Sequence, residues 1–234
     1  MQYDSAEFQQ IQQQAEEWNA EQVLRWAVEQ FSRDIALASS FGAEDQVLLD
    51  LASKLATPLR VFTLDTDFLF PETYRLIRAS ELNYGVKVER AKSAFTPQQQ
   101  EEQYGPALWS RDPNQCCDLR KVVPLKTKLG ELRAWVTGIR RDQAPTRANA
   151  RKIEWDQRFG LVKFNPMADW TWDQVWAYVR ANNVPYNPLH DQNYPSIGCT
   201  YCTRQVMPGE DLRAGRWAGQ QKIECGLHVK TGEQ

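Results

Sequence analysis

Five cysteines carry the most pointed chemistry in this sequence. Two stand side by side as Cys116-Cys117, two form Cys199-x-x-Cys202, and Cys225 stands apart in the segment ECGLH near the chain end. Two pairs supply four thiolates, the ligand set of a structural zinc or of a 4Fe–4S cluster. The Cys-x-x-Cys spacing suits either. The adjacent pair suits zinc less well, because neighbouring side chains point in different directions and zinc sites usually space their ligands. Inert packing is the plain alternative, since free cysteine often behaves as a small hydrophobe. Lys121, four residues after Cys117, falls one helical turn on and is placed to face such a group; otherwise it is a solvated lysine. Cys225 has the makings of a nucleophile. A thiol attacks as its thiolate, Gly226 adds backbone freedom, and His228 is a nearby cation. Taken alone, it reads as an idle cysteine on a tail.

The basic residues form a second constellation. Arg140, Arg141 and Arg147 fall in one stretch, and Arg213 and Arg216 share a face at i, i+3 spacing. Any one of them is an ordinary surface charge. Together, in loops flanking a ligand edge, they suit a polyanionic small molecule held by bidentate contacts. The two histidines make no metal site, and His190, in the proline-bounded PLHDQNYP, reads as structural.

Something must position these groups. Residues 5–31 read as two helices with apolar positions at helical spacing. IALA (35–38) is a short buried strand, and residues 39–45 form a turn. QVLLDLASK (46–54) is a helix and RVFTL (60–64) a second strand, followed by a loop over 65–71. Pro71 sits in the first turn of a helix that ends at Gly85. VKVERA (86–91) and WVTG (135–138) are further strands. Residues 171–182 form a helix with Thr171 as N-cap and Asp173 in its first turn. This alternation predicts an α/β fold: a mostly parallel twisted sheet with helices on both faces. Ligands of such sheets bind beyond the carboxyl ends of the strands, where the loops 39–45, 65–67 and 138–147 fall. The first of these opens a helix, which suits an anion such as phosphate. Simple capping explains it as well.

The chain has 234 residues, enough for one domain with a full core. We expect a single domain over 1–234, with N-terminal helices to about residue 33 and a mobile tail from about 218. A net charge of −2 argues against a general nucleic-acid binder. The first residues lack the basic and apolar regions of a signal peptide, and no apolar run reaches the roughly 18 residues of a membrane span. A cytoplasmic location is therefore expected, with no nucleic-acid or membrane partner. In a reducing cytosol, paired cysteines more often bind metal or do redox work than form disulfides.

Together these segments resemble one family. SSFGAEDQVLL (39–49), LDTDFLFPETY (64–74), QCCDLRKVVPL (115–125), GIRRDQAPTRA (138–148), HDQNYPSIGCTYCT (190–203), GEDLRAGRW (209–217) and ECGLH (224–228) are similar, in order, to segments of the assimilatory adenylyl-sulfate reductases. These belong with the phosphoadenylyl-sulfate (PAPS) reductases and PP-loop nucleotide enzymes. The resemblance implies an adenine nucleotide α-hydrolase-like fold. It also implies thioredoxin-dependent reduction of adenylyl sulfate to sulfite and AMP, in sulfate assimilation and cysteine biosynthesis. It implies one 4Fe–4S cluster per chain on Cys116, Cys117, Cys199 and Cys202, with Cys225 as nucleophile carrying a Cys S-sulfonate. Ser39, Ser40, Phe41, Gly42 and Asp45 match the modified PP-loop, and Leu64 and Thr66 match positions near the adenosine. Lys121, Arg147, Arg213, Arg216 and His228 match basic residues around the phosphate and sulfate. A thioredoxin or glutaredoxin-like dithiol is the implied reductant, and a homo-oligomer is allowed. Use of the 3′-phosphorylated substrate as well is left open. Asp67 departs from the family's commoner "LDTG", and Ser-Ser-Phe-Gly replaces a loop such as Ser-Phe-Ser-Gly. Two other classes compete: a PP-loop ATP pyrophosphatase that modifies tRNA, which would show a Ser-Gly-Gly-x-Asp-Ser loop and a broad basic surface, and a non-enzymatic zinc or iron–sulfur module.

Overall fold

The structure is a computed structural model that describes residues 5–220, 222, 226 and 227. Cys225 and His228 lie outside the described residues. In chain order come α1 (Ala6–Ala15), α2 (Ala20–Phe31), β1 (Ile35–Ala38), α3 (Ala43–Ser53), β2 (Arg60–Asp65), α4 (Pro71–Tyr84) and β3 (Val88–Lys92). Short helices follow: α5 (Pro97–Tyr104), α6 (Leu108–Arg111), α7 (Pro113–Cys117), a π-helical turn (Asp118–Val122) and α8 (Val123–Leu129). The chain then forms β4 (Ala134–Val136), β5 (Ile153–Asp156), β6 (Leu161–Phe164) and α9 (Trp172–Ala181).

The strands make one sheet in the order β3-β2-β1-β4-β6-β5, parallel except for β5 at the edge. Side chains alternate between its faces, as the two-residue strand period requires. Ile35, Leu37, Val61, Ala134, Val136 and Phe164 meet α1, α2, α3, α4 and α9 in the larger core. Ala36, Phe62, Trp135 and Leu161 turn to the other face, where Leu125 and Leu129 of α8 cover them. The expected helices on both faces are present.

Local signals account for most element ends. Asn19 and Thr171 close capping boxes with Gln22 and Gln174. Pro71 opens α4, and Gly85 ends it in the left-handed conformation at φ 63°. α3 begins three residues earlier than its apolar pattern indicates, because Gly42 is the N-cap and offers no side-chain capping bond. No helix among the described residues is long and apolar enough to cross a membrane.

The strand order reverses at β1, which lies between β2 and β4. A crevice opens at such a switch point, beyond the carboxyl ends of the strands. The loops after β1, β2 and β4 all reach it.

Candidate active site

A cleft of about 220 Å³ occupies that crevice. The turn after β1 contributes Ser39, Ser40 and Gly42 to it, and α3 contributes Glu44 and Asp45. Leu64 and Thr66 come from β2 and the loop beyond it; Gly138, Arg140 and Arg147 come from the loop after β4. Arg213, Arg216 and Trp217 close it from the C-terminal segment. Leu227, which lies between Cys225 and His228 in sequence, also lines it.

The turn after β1 is tightly fixed. Ser40 donates both its N–H (2.6 Å) and its hydroxyl (2.7 Å) to Oδ2 of Asp45. The other Asp45 oxygen abuts Gly138, where a Cβ would come within 2.4 Å of it. The first turn of α3 and the loop after β4 thus touch with no room for a side chain. Phe41 takes a positive φ of 61°, a conformation non-glycine residues adopt at a cost. That turns its ring into the larger core rather than the cleft. Gly42 then presents the free N-terminus of α3 to the crevice, an anion-binding feature.

Burial pushes the Asp45 carboxyl up to about 6, with the Ser40 donors opposing, Glu44 adding and Arg147 opposing. An acid raised from 3.8 favours the protonated native state. Its stabilising contribution is complete below pH 4 and is lost as pH rises through 6. Asp45→Asn keeps an acceptor for Ser40 but removes the ionisation. It is expected to be more stable than the parent at pH 7.5 by up to about 3 kcal/mol. Urea titrations at several pH values check this, and the gap should close below pH 4.

The arginines divide by role. Arg140 is buried and locked to Glu44, with Nε–Oε1 at 3.0 Å and Nη2–Oε1 at 2.9 Å. Gln143 also donates to Glu44, at 2.8 Å, and accepts from Arg147 at 2.5 Å. Arg141 corrects the expectation that all five arginines flank the ligand edge. It lies outside the cleft lining, donates to Ala150 O at 2.8 Å and pairs with Glu16 at 2.5 Å, tying the loop to the end of α1. Arg213 and Arg216 do share the cleft, but through a turn in which Arg216 N–H donates to Arg213 O at 2.8 Å, not through a helix. Arg216 packs so closely on Gly198 that a Cβ there would lie 2.4 Å from Nη2. It donates to Ser196 Oγ at 3.1 Å, while its buried Nε has no hydrogen-bond partner.

Asp67 adopts φ 58°, which explains why glycine suits this position. The aspartate is accommodated by its contacts: its N–H donates to Asp65 at 3.1 Å, and its carboxylate pairs with Lys92 at 2.6 Å and Arg120 at 3.3 Å. His190 lines the cleft and packs edge-to-face on Trp172 and Trp176. Burial holds its imidazole below the usual histidine range, against the pull of Glu44.

A second, small cavity lies beside the cleft, lined by Cys116, Cys117, Cys199 and Cys202. The structure therefore joins two cysteine pairs about eighty residues apart. Cys116 and Cys117 end α7, and the π-helical turn that follows carries Arg120 and Lys121. Such turns recur at functional sites. Lys121 lines both cavities, so it faces the thiols as expected and the cleft as well. Thr66 lines the cleft, and its hydroxyl lies 3.3 Å from Cys199 Sγ. Burial, then repulsion from the other three cysteines, pushes the Cys116 thiol up to about 12, against the pull of Arg120. Burial and Cys199 push Cys202 up to about 11, against Lys121. Among the described residues no three His, Cys, Asp or Glu side chains form a single-ion site. The thiols share a cavity rather than a point.

Arg120 has no obvious signal in the sequence, where a lone arginine reads as surface charge. It is 1% exposed. Nε donates to Gln100 (2.6 Å), Nη1 donates to Thr66 O (2.9 Å), and the guanidinium lies over Phe68 at 4.3 Å. Its Nη2 is buried without a partner in a molecule where this residue also lines the cysteine cavity.

A switch-point crevice with a free helix N-terminus and converging arginines, in this sheet, defines a nucleotide-handling enzyme of the adenine nucleotide α-hydrolase-like fold. The sequence profile of the phosphoadenosine phosphosulfate reductase domain matches residues 34–205. The chain belongs to that family, which makes it an oxidoreductase acting on a sulfur group. It is 46% identical over 231 residues to the adenosine 5′-phosphosulfate reductase of Shouchella clausii, covering 98% of this chain and 96% of that protein. It is 48% identical over 207 residues to adenosine 5′-phosphosulfate reductase 2 of Bacillus subtilis, covering 88% of each. The crystal structure of the phosphoadenylyl-sulfate reductase from Candida auris, a phosphate complex, superimposes with a TM-score of 0.73. It is 32% identical and covers 86% of this chain and 98% of that one.

Proposed function

We propose that this enzyme reduces adenosine 5′-phosphosulfate to sulfite and AMP, with Cys225 as nucleophile and a dithiol protein as reductant. The observation that carries the reading is a cleft with a free helix N-terminus and converging arginines, set beside a cavity lined by four cysteines. The near-full-length similarity to adenosine 5′-phosphosulfate reductases supports the choice of substrate.

The steps balance. The Cys225 thiolate attacks the sulfate sulfur, the bond from sulfur to the bridging oxygen breaks, and AMP leaves with that electron pair. Cys225 then carries an S-sulfonate. A thiolate of the reductant attacks the Cys225 sulfur and expels sulfite. The second reductant thiol resolves the mixed disulfide, so both electrons come from the dithiol and Cys225 is regenerated. Arg147, Arg213, Arg216 and Lys121 hold the phosphosulfate charge and favour departure of AMP. The Ser39 hydroxyl and the N-terminus of α3 at Gly42 face the α-phosphate, with Ser40 fixing that turn through Asp45, and Leu64 and Thr66 border the adenosine. His228 adds a further cation.

Cys116, Cys117, Cys199 and Cys202 fit a 4Fe–4S cluster. Their thiols share one cavity, and the unpartnered Nη2 of buried Arg120 and the hydroxyl of Thr66 supply donors toward sulfur. When bound, the cluster supplies structural ties and local charge beside the cleft rather than substrate electrons. Lys121, common to both cavities, couples the two.

Anaerobically purified enzyme given adenosine 5′-phosphosulfate and a reduced thioredoxin-like protein is expected to release sulfite and AMP in equal amounts. AMP without sulfite would overturn the reading in favour of hydrolysis.

A further inference from the structure

Three aromatic rings stand at the cysteine cavity. Trp109 of α6 and Tyr201, which lies between Cys199 and Cys202, stack with centroids 4.0 Å apart and planes 12° apart. Phe68 meets both rings edge-on, at 5.5 and 5.3 Å. All three line the cavity. Cys116, Cys117 and Cys199 are buried, whereas Tyr201 is 55% exposed. The rings therefore form the wall between the thiols and water.

The wall is layered. Arg120 lies over Phe68 on the inner side, and the Trp109–Tyr201 stack lies outside. Thr200 fixes Phe68 from the cysteine side, donating N–H (2.8 Å) and hydroxyl (3.0 Å) to its carbonyl. The stack also joins the two cysteine segments. Trp109 precedes the helix that ends in Cys116-Cys117, and Tyr201 belongs to the Cys199–Cys202 turn.

A large ring held more than half in water contributes little burial where it stands. Its near-parallel stacking on a partner from the other cysteine segment calls for another explanation. We propose that Trp109 and Tyr201 are a noncovalent clamp that sets how fast small reactive molecules reach the three buried thiols, Cys116, Cys117 and Cys199, and any group they hold. Oxidants, chelators and alkylating agents belong to this class. The clamp opens when Tyr201 unstacks, and Phe68 alone leaves the cavity uncovered. The inference rests on the functional reading only for the identity of the bound group.

The test uses the full chain with Cys225→Ser as parent, so that only the four cavity cysteines report. Metal-free protein is mixed with a chromogenic disulfide reagent. The half-buried Cys202 gives a separate phase, and in Tyr201→Ala and Trp109→Ala the phase of the three buried thiols is expected to be about five- to tenfold faster, the factor by which loss of one aromatic pair shifts a local opening equilibrium. Tyr201→Phe keeps the ring and should react at the parent rate. Folded Tyr201→Ala and Trp109→Ala proteins that react no faster than the parent would overturn the clamp. So would a Tyr201→Phe protein as fast as Tyr201→Ala, since the hydroxyl would then be responsible. In iron-reconstituted protein, bleaching of the visible absorption in air should accelerate by the same factor in the alanine variants. A parent that takes up no iron anaerobically would end the cluster assignment, while the thiol rates would still decide the clamp.

Discussion

Replacing Cys225 by serine is expected to lower sulfite formation by about 10⁴-fold or more, the scale on which loss of a covalent nucleophile is felt. A serine hydroxyl is a far weaker nucleophile at neutral pH, and no dithiol can release sulfite from it by exchange. Gly226 adopts φ 82°, so glycine is the residue suited to the position next to Cys225. Its carbonyl accepts from Arg158, and Leu227 lines the cleft, so these two residues after Cys225 tie to the body of the protein and to the site. Mass spectrometry after mixing with adenosine 5′-phosphosulfate should find an SO₃ adduct on Cys225 of the parent. Substrate should still bind to Cys225→Ser, because the arginines of the cleft are unchanged. An SO₃ adduct on that variant would sink the assignment.

The second large effect is expected at Arg120. Arg120→Met retains much of the apolar stem but strips the donors from Gln100 and Thr66 O in a buried setting. Asp67 keeps Lys92 at 2.6 Å, which limits the damage. We expect a loss of about 2–4 kcal/mol from orphaned buried partners and a lost buried cation. Urea unfolding of the metal-free protein measures this. Iron bound per chain after reconstitution is expected to fall in parallel, because the guanidinium is a cation lining the cavity of the four thiols, of which Cys116 and Cys202 are held protonated by burial. Normal iron uptake by a destabilised Arg120→Met protein would restrict this arginine to a structural role.

The parts legible in the sequence are those whose chemistry shows in residue type and period. β1 and β2 are apolar runs, and Thr171 and Pro71 announce their helices. The cysteine pairs and the arginine loops mark their cavities by composition. β5 and β6 are not legible in the sequence, for a physical reason. They carry Glu154 and Lys163, which read as surface charges, yet pair across the strands at 3.0 Å with Lys163 buried. A mutually neutralised pair of this kind leaves no hydropathy signal. α6 and α7 are too short for any period to emerge. Arg120 carries no sequence signal because burial of a cation depends on partners from Phe68, Gln100 and Thr66, all distant in sequence. Phe41 illustrates the reverse case. Its loop was legible, but its direction followed from a backbone angle that the residue type does not favour.

The π-helical turn at 118–122 acts as a phase shifter. An α-helix advances about 100° per residue, and a single wide turn inserts one residue without restarting the helix. The helices on either side are therefore rotated against each other about a nearly continuous axis. Before the turn, Cys116 and Cys117 look toward their cavity; after it, Leu125 and Leu129 look toward the sheet. One uninterrupted α-helix would bring these two sets into a different angular relation. The extra residue thus lets a single rod serve two surfaces, and its length, more than any one side chain within it, keeps the thiols and the sheet in register.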